Sequence, residues 1–503
     1  MTALMLLVPL AAPLLAALVY AVFGWRRATA HAGTAGAALV LADAIALAVR
    51  VMRRGSAEIL GGWLRADPLA AFMLLGIGTI GLLACAASPA YLAAHGNAHD
   101  GQRQGAREGA GATRRYGMLV SGFLAAMATA VLAGNLGLAW IAIEATTIVT
   151  AFLVGHAGTR QALEAAWKYT VICSVGIALA LLGIIVLYAA ARHAGLGESS
   201  ALEYTALINH ARTLDPAVTR MAVALMILGF GAKAGLVPLH AWLPDAHSQA
   251  PAPVSALMSG VLLPVAFSQV LRVTAIGNAV LGTGFTRTLL LIMGLGSLAL
   301  AALLLIAQRD YKRMLAYSTM EHMGLITVGA AIGTRLALAA ILLHIAGHGL
   351  AKAVAFITSG HILSAEGTTR IDQVKALGAR QPVLAGIFGC ALLALLGFPP
   401  FSLFASELAL ARSGFAAHLG WPTAAAFALV LLAFAALAAH AARMLLGDPD
   451  HDPVVDARPA APGVLGLITR TPLITALVAV AVLGITAWPI SSLINTAAQT
   501  GHR

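Results

Sequence analysis

Apolar runs of about 20 residues recur along the whole of this chain, each bounded by charged or Gly/Pro-rich residues. A run of that length crosses a bilayer as a helix, so the chain reads as an all-α polytopic membrane protein. Composition agrees: 60% of the 503 residues are hydrophobic, 10% are charged, and the mean hydropathy is +0.88. Soluble domains carry about 25% charged residues, and no stretch here reads as a separate soluble domain. The first run, ending at Arg26 and Arg27, is too long for a cleaved signal and lacks a charged start. It is expected to be a spanning helix.

Length and flanking residues give about fourteen spans: 3–23, 31–50, 68–93, 116–133, 135–155, 169–190, 221–243, 249–273, 285–307, 314–333, 335–363, 382–411, 421–446 and 471–494. The seventh carries Lys233 near its middle, with Pro238 shortly after and Gly229, Gly231 and Gly235 around it. A cation at bilayer depth costs at least about 2.5–3.5 kcal/mol. A broken helix is tolerated there only where its freed carbonyls face protein or water. Charge and break together point to an ion path.

The twelfth span is broken too, at Gly397-Phe398-Pro399-Pro400-Phe401, shortly before Glu407. Breaks at corresponding places in two halves mark an inverted-repeat transporter core. The predicted architecture therefore has two inverted five-helix repeats, spans 4–8 and 9–13, with helices 7 and 12 broken. Segments follow: residues 1–115, three helices and a cytoplasmic loop; 116–273, the first repeat; 285–446, the second; 447–503, a loop and C-terminal helix. The same offset of five spans brings Glu144 of the fifth into register with Glu321 of the tenth.

Cations set the orientation. With both termini outside, the inner loops hold 17 Lys and Arg against 12 in the outer loops, as the positive-inside rule requires. The short run Arg309, Asp310, Lys312 and Arg313 reads as part of that signal. The net charge of +11 is thereby assigned to orientation, and no nucleic-acid partner is expected. The Gly-rich loop 94–115 carries no chemistry and is expected to be flexible.

Ionisable residues inside spans default to function. A carboxyl such as Glu144 loses its charge on burial and regains it beside a cation, and Lys233 is the natural partner. His344, His348 and Lys352 recur every four residues, which places them on one helix face about 12 Å long. Histidine titrates near neutral pH, so the stripe suits proton hopping. A metal would need a third ligand beside His344 and His348, and none accompanies them, so no metal is expected. Glu321 and His322 are adjacent and are expected to face different ways. His240, Asp245 and His247 follow Pro238 and are expected near the cytoplasmic mouth, either capping helix ends or admitting protons. Cys85, Cys173 and Cys390 stand singly, and no Gly-rich dinucleotide loop is present. No cofactor is expected in this chain.

With these residues in place, the chain resembles the antiporter-like proton-translocating subunits of respiratory complex I, membrane-bound hydrogenases and multisubunit cation/proton antiporters. Lys233–Gly260, Arg309–Gly324, His344–Ile362 and Gly397–Glu407 carry the resemblance. The wording of Ala165–Gly183 and of YSTMEHMG (317–324) is most similar to hydrogenase-4 component F of group 4 membrane-bound hydrogenases. The resemblance implies that Glu144 and Lys233 form a gating pair, that His344, His348 and Lys352 form the central axis, and that Glu407 ends it. One departure stands out. Pro264 occupies the place where many members have a bridging lysine, so the link from Lys233 to the histidines would need water, Ser268, Gln269 or histidines. The chain also ends soon after its last span, so the long lateral helix of some large members is not expected.

The expected function is that of a proton-translocating subunit without a redox centre, in a bacterial or archaeal cell (inner) membrane. Its expected partners are the lipid bilayer, other membrane subunits, and a peripheral oxidoreductase arm of the hydrogenase or NADH dehydrogenase kind. The alternatives are a Na⁺/H⁺ antiporter module, a scaffold, and the proton-channel partner of an inorganic-carbon uptake protein.

Overall fold

The chain is described by a computed structural model covering residues 2–96, 103–446, 466–487 and 490–500. Twelve helices among the described residues are long and apolar enough to cross a membrane. The first six are α1 (Thr2–Phe23), α2 (Ala32–Arg54), α3 (Pro68–Gly96), α4 (Arg103–Leu132), α5 (Leu136–Val154) and α6 (Arg160–His193). After a short α7 (Tyr204–Asn209) comes α8 (Pro216–Lys233), then α9 (Trp242–Gln249) and α10 (Ala252–Leu257). A π-helical turn, Met258–Leu262, joins α10 to α11 (Leu263–Leu281). Beyond it run α12 (Thr283–Ile306), α13 (Tyr311–Ile332), α14 (Arg335–Glu366), α15 (Leu377–Arg380), α16 (Pro382–Leu395), α17 (Ser402–Ala416) and α18 (Gly420–Leu445). Two more helices, α19 (Leu467–Thr486) and α20 (Ser491–Thr500), complete the described chain.

Each predicted span overlaps helix, but the seventh and twelfth are divided at their breaks, and the twelfth gives two short helices, α16 and α17. The tenth falls on α13, which is not among the apolar twelve and carries Tyr317, Ser318, Thr319, Glu321, His322 and Thr327. It is tolerated because nearly every residue of α13 is buried by neighbouring helices. The expected loop at 94–115 lies partly outside the described residues; from Arg103 onward it is helical, so α4 starts well before the predicted 116. The last predicted span becomes two helices, α19 and α20. A hairpin of β1 (Ala57–Ile59) and β2 (Leu64–Ala66) lies between α2 and α3.

The bundle is layered by burial. Residues 252–281 and α14 lie almost wholly inside. The outer helices turn apolar side chains outward, such as Ile141, Ile148 and Phe152 on α5 and Val171, Val175, Leu182 and Ile185 on α6. Lipid supplies no hydrophobic drive between helices, so close backbone contact must hold them. Gly260 and Gly349 provide it at the centre: a Cβ on either would lie 2.9 Å or 2.8 Å from the other's carbonyl oxygen.

Both breaks are built alike. After α8, Gly235 takes φ +77° and Leu236 N–H bonds Gly231 O at 2.9 Å; after α16, Gly397 takes φ +67° and Phe398 N–H bonds Leu393 O at 3.1 Å. Both are helix ends in which a left-handed glycine lets the chain turn back on its last carbonyls. Pro238 and Pro400 follow at the same spacing, each after a cis peptide bond; Pro399 precedes Pro400. The chain at the breaks is partly exposed, at Pro238 in the first and at Phe398, Pro399 and Pro400 in the second.

Candidate functional site: a buried row of ionisable side chains

Lys233 is fully buried at the end of α8. Its Nζ donates to Thr147 Oγ1 at 2.9 Å and to Tyr169 OH at 2.5 Å, and it lies 4.7 Å from the Tyr169 ring centroid. Glu144 faces elsewhere. One carboxylate oxygen accepts from Ser174 Oγ at 3.2 Å, and the other, also buried, has no hydrogen-bond partner. Thr147, three residues from Glu144 in sequence, thus serves the lysine. Tyr169 was not foreseen, since a tyrosine in an apolar run carries no distinguishing signal.

α9 carries the row inward. At its start, Trp242 Nε1 donates to Ala232 O at 3.0 Å and its ring packs edge-on to Tyr169, 5.0 Å away. Five residues on, roughly 7.5 Å along the helix, His247 is fully buried and stacks on Phe356 at 5.1 Å. Neither of its ring nitrogens has a hydrogen-bond partner, and it lies within electrostatic reach of Lys352 and Lys312. His247 is therefore not at a surface mouth. Ser268 and Gln269 do not bridge the place left by Pro264: Ser268 donates to Val265 O, while Gln269 is occupied by Tyr204 OH and Ala130 O. His247, buried within electrostatic reach of Lys352, is instead a candidate for that link. Eight residues after a helix break offer too little periodicity to have revealed it. His240 is half-buried, and its Nδ1 has no partner.

The second half of the row lies between α13, α14 and α17. Lys352 is fully buried and donates to Leu315 O at 2.8 Å. His348 is fully buried with both nitrogens unpartnered, its ring 4.9 Å from that of His322. His322 Nδ1 lies 3.1 Å from His344 Nε2, and His344 Nδ1 lies 2.9 Å from Ser406 Oγ. Glu321 does not turn away from His322 as expected: Oε2 lies 3.5 Å from His322 Nε2, because both side chains bend into the same interior. Glu407 sits against the second break, where a Cβ on Gly397 would lie 2.5 Å from its Oε2. His322, His344 and Glu407 bring one ligand atom each within 4.8 Å of one another. A third ligand thus does accompany His344, supplied by helices distant in sequence, with His322 in place of His348.

Lys312 departs from its expected place in a charged loop. It is buried in the first turn of α13, donating to Ala250 O at 2.9 Å. Asp245 is the surface group of the region, paired with Lys168 at 3.1 Å and Arg313 at 3.0 Å. It stands as far beyond Gly235 as Glu407 stands beyond Gly397. At the bundle end that holds the hairpin, Arg272 forms a two-pronged pair with Asp67 at 2.7 and 3.1 Å. Burial alone would push the Asp67 carboxyl up, but the Arg272 guanidinium and the Ala70 N–H hold it below the usual carboxylate range.

Fold and site together define a multi-pass membrane protein with a line of ionisable groups along its interior. Residues 133–433 match the family described as NADH:quinone oxidoreductase/Mrp antiporter, transmembrane. The chain belongs to that family. It is similar to a hydrogenase-4 component F homolog of Methylacidiphilum infernorum, 40% identical over 304 residues, which are 60% of this chain and 64% of that protein. It is also similar to a Na(+)/H(+) antiporter protein of Alkalihalophilus pseudofirmus, 30% identical over 58% of each chain. The matched part thus spans less than two thirds of these relatives. In fold it is similar to a chain of an archaeal membrane-bound sulfane sulfur reductase, with TM-score 0.84, 24% identity and coverage of 100% of this chain and 98% of that one.

Proposed function

We propose that this chain is a proton-translocating membrane subunit of a respiratory-type redox complex. The observation that carries this reading is the row itself: Lys233, His247, Lys352, His348, His322 and His344 are all buried, and it ends on Glu407. Such groups are expensive inside a membrane and are kept where protons or ions pass. Lys233 holds its proton when Glu144 swings towards it. When Glu144 turns back to Ser174, the lysine releases the proton to the row. α9 hands it from the Tyr169–Trp242 end to His247 and Lys352, and the histidines carry it to Glu407.

Partners follow from the same reading. On this reading the energy comes from other membrane subunits and a peripheral oxidoreductase of the hydrogenase or NADH dehydrogenase kind. Residues 116–273 and 285–446 act as the two inverted repeats, one around each break. The antiporter relative raises a sodium reading. A sodium ion needs a cage of oxygen ligands, whereas this row presents ammonium and imidazole groups, so protons are favoured.

Lys233→Ala in membrane vesicles of the assembled complex is expected to abolish redox-driven proton movement while the subunits remain together. Undiminished pumping by the assembled variant would refute the proposal, and sodium-dependent flux in proteoliposomes would favour the antiporter reading.

A further inference from the structure

We propose that His322, His344 and Glu407 form a binding site for a divalent transition-metal cation of the zinc class, whose occupation blocks the row. The three ligand atoms lie within 4.8 Å of one another. The two imidazole nitrogens are 3.1 Å apart. Two nitrogens bound to a tetrahedral zinc at about 2.0–2.1 Å stand about 3.3–3.4 Å apart, so the rings need little movement to admit the ion. With no ion bound, these nitrogens share one hydrogen; an incoming cation takes both lone pairs, and that ring shifts its hydrogen to its outer nitrogen, so both imidazoles stay neutral and no proton is released from them.

The outer nitrogen of His344 is already supported, as metal-bound histidines require. His344 Nδ1 lies 2.9 Å from Ser406 Oγ. His322 Nε2 makes no hydrogen bond but lies 3.5 Å from the Glu321 carboxyl group, just outside the ligand set. Two neutral imidazoles and a carboxylate select zinc, cobalt, nickel or copper over magnesium and calcium, which prefer oxygen. Glu407 leaves the fourth position open to water. A narrow cleft lined by Ser318, Glu321, Leu395, Glu407, Val430 and Phe434 leads to these carboxylates. Lys352, two turns beyond His344 on α14, opposes the ion by charge, with His348 between them.

Binding needs nothing beyond these side chains; the blockade rests on the proton reading above. The test uses the purified full chain with Zn²⁺ or Co²⁺ alone. Expected are one metal per chain, an X-ray absorption spectrum with two imidazoles and a carboxylate, and a tetrahedral Co²⁺ absorption band. His344→Gln and Glu407→Gln are each expected to weaken binding at least a hundredfold, and Ser406→Ala by about tenfold through the support of His344. Size-exclusion profiles verify that the variants fold. Absence of stoichiometric metal, or unchanged affinity in folded His344→Gln and Glu407→Gln, overturns the site. Redox-driven proton flux that persists in vesicles of the assembled complex with zinc bound overturns the blockade. An assembled complex that binds zinc at this site but pumps no protons even without it would sink the proton reading and leave the site standing.

Discussion

Lys233 and Glu144 do not touch: the lysine bonds Thr147 and Tyr169, while the carboxylate leans on Ser174 with one buried oxygen unpartnered. Both partners are therefore present in an open arrangement, each with a neutral hydroxyl holding its place. Tyr169 is the hinge of that arrangement, since it meets Lys233 through both its hydroxyl and its ring face.

Tyr169→Phe removes the hydroxyl and keeps the ring. A hydrogen bond to a charged group contributes about 1.5–3 kcal/mol, so the open arrangement loses that much relative to the closed one. Pumping is expected to slow about tenfold or more, measured as proton uptake in vesicles with assembly checked in parallel. Glu144→Gln, which removes the charge but keeps the shape, should lose pumping altogether. A Tyr169→Phe complex that pumps at the normal rate would show that the tyrosine only fills space.

How much of this was legible in the sequence depended on where the signal lay. The spans, both breaks and the stripe His344–His348–Lys352 could be read because apolar length and helical period are local properties. Tyr169, His247 and Lys312 could not, because their roles arise from contacts between helices far apart in sequence. Lys312 is instructive. Beside Arg309 and Arg313 it looked like an orientation charge, yet one residue into α13 the chain is already enclosed. The His322–His344–Glu407 cluster was hidden for the same reason, with its ligands coming from three helices.

His247 gives a second prediction. With Pro264 lacking a titratable group and Gln269 committed to Tyr204 and Ala130, the transfer from Lys233 to Lys352 depends on this imidazole. His247→Gln keeps a polar side chain but cannot relay a proton at neutral pH. It is expected to reduce pumping at least tenfold without loss of assembly. His240→Gln, at a half-buried position, should cost less. Equal losses in the two variants would count against a special place for His247.

Gly397 supplies a third, with a built-in control. An alanine at φ +67° costs about 1–2 kcal/mol in backbone strain, and its Cβ would lie 2.5 Å from Glu407 Oε2. Gly367 has the same φ of +67° but nothing within 4 Å of a would-be Cβ. Both alanine variants should lose similar stability, but only Gly397→Ala should also displace Glu407 and slow proton flux. Similar flux in both would mean that Glu407 does not depend on the break.

The Asp67–Arg272 pair sets the acid limit of the fold. Asp67 has a carboxyl held below its ordinary value by Arg272. A group lowered in this way stabilises the folded state above its unfolded pKa of about 3.9, and that contribution disappears as pH falls through the folded value. The thermal midpoint of the purified protein should therefore drop below about pH 4 in part because of this residue. Asp67→Asn should remove that part of the drop. It should also destabilise the protein near pH 7 by about 3–5 kcal/mol, because it strands the guanidinium in a buried site. The double variant Asp67→Asn/Arg272→Gln should recover much of that loss, since no buried charge remains unpaired. If the acid profile of Asp67→Asn matches that of the unaltered chain, the acid sensitivity belongs to another carboxylate.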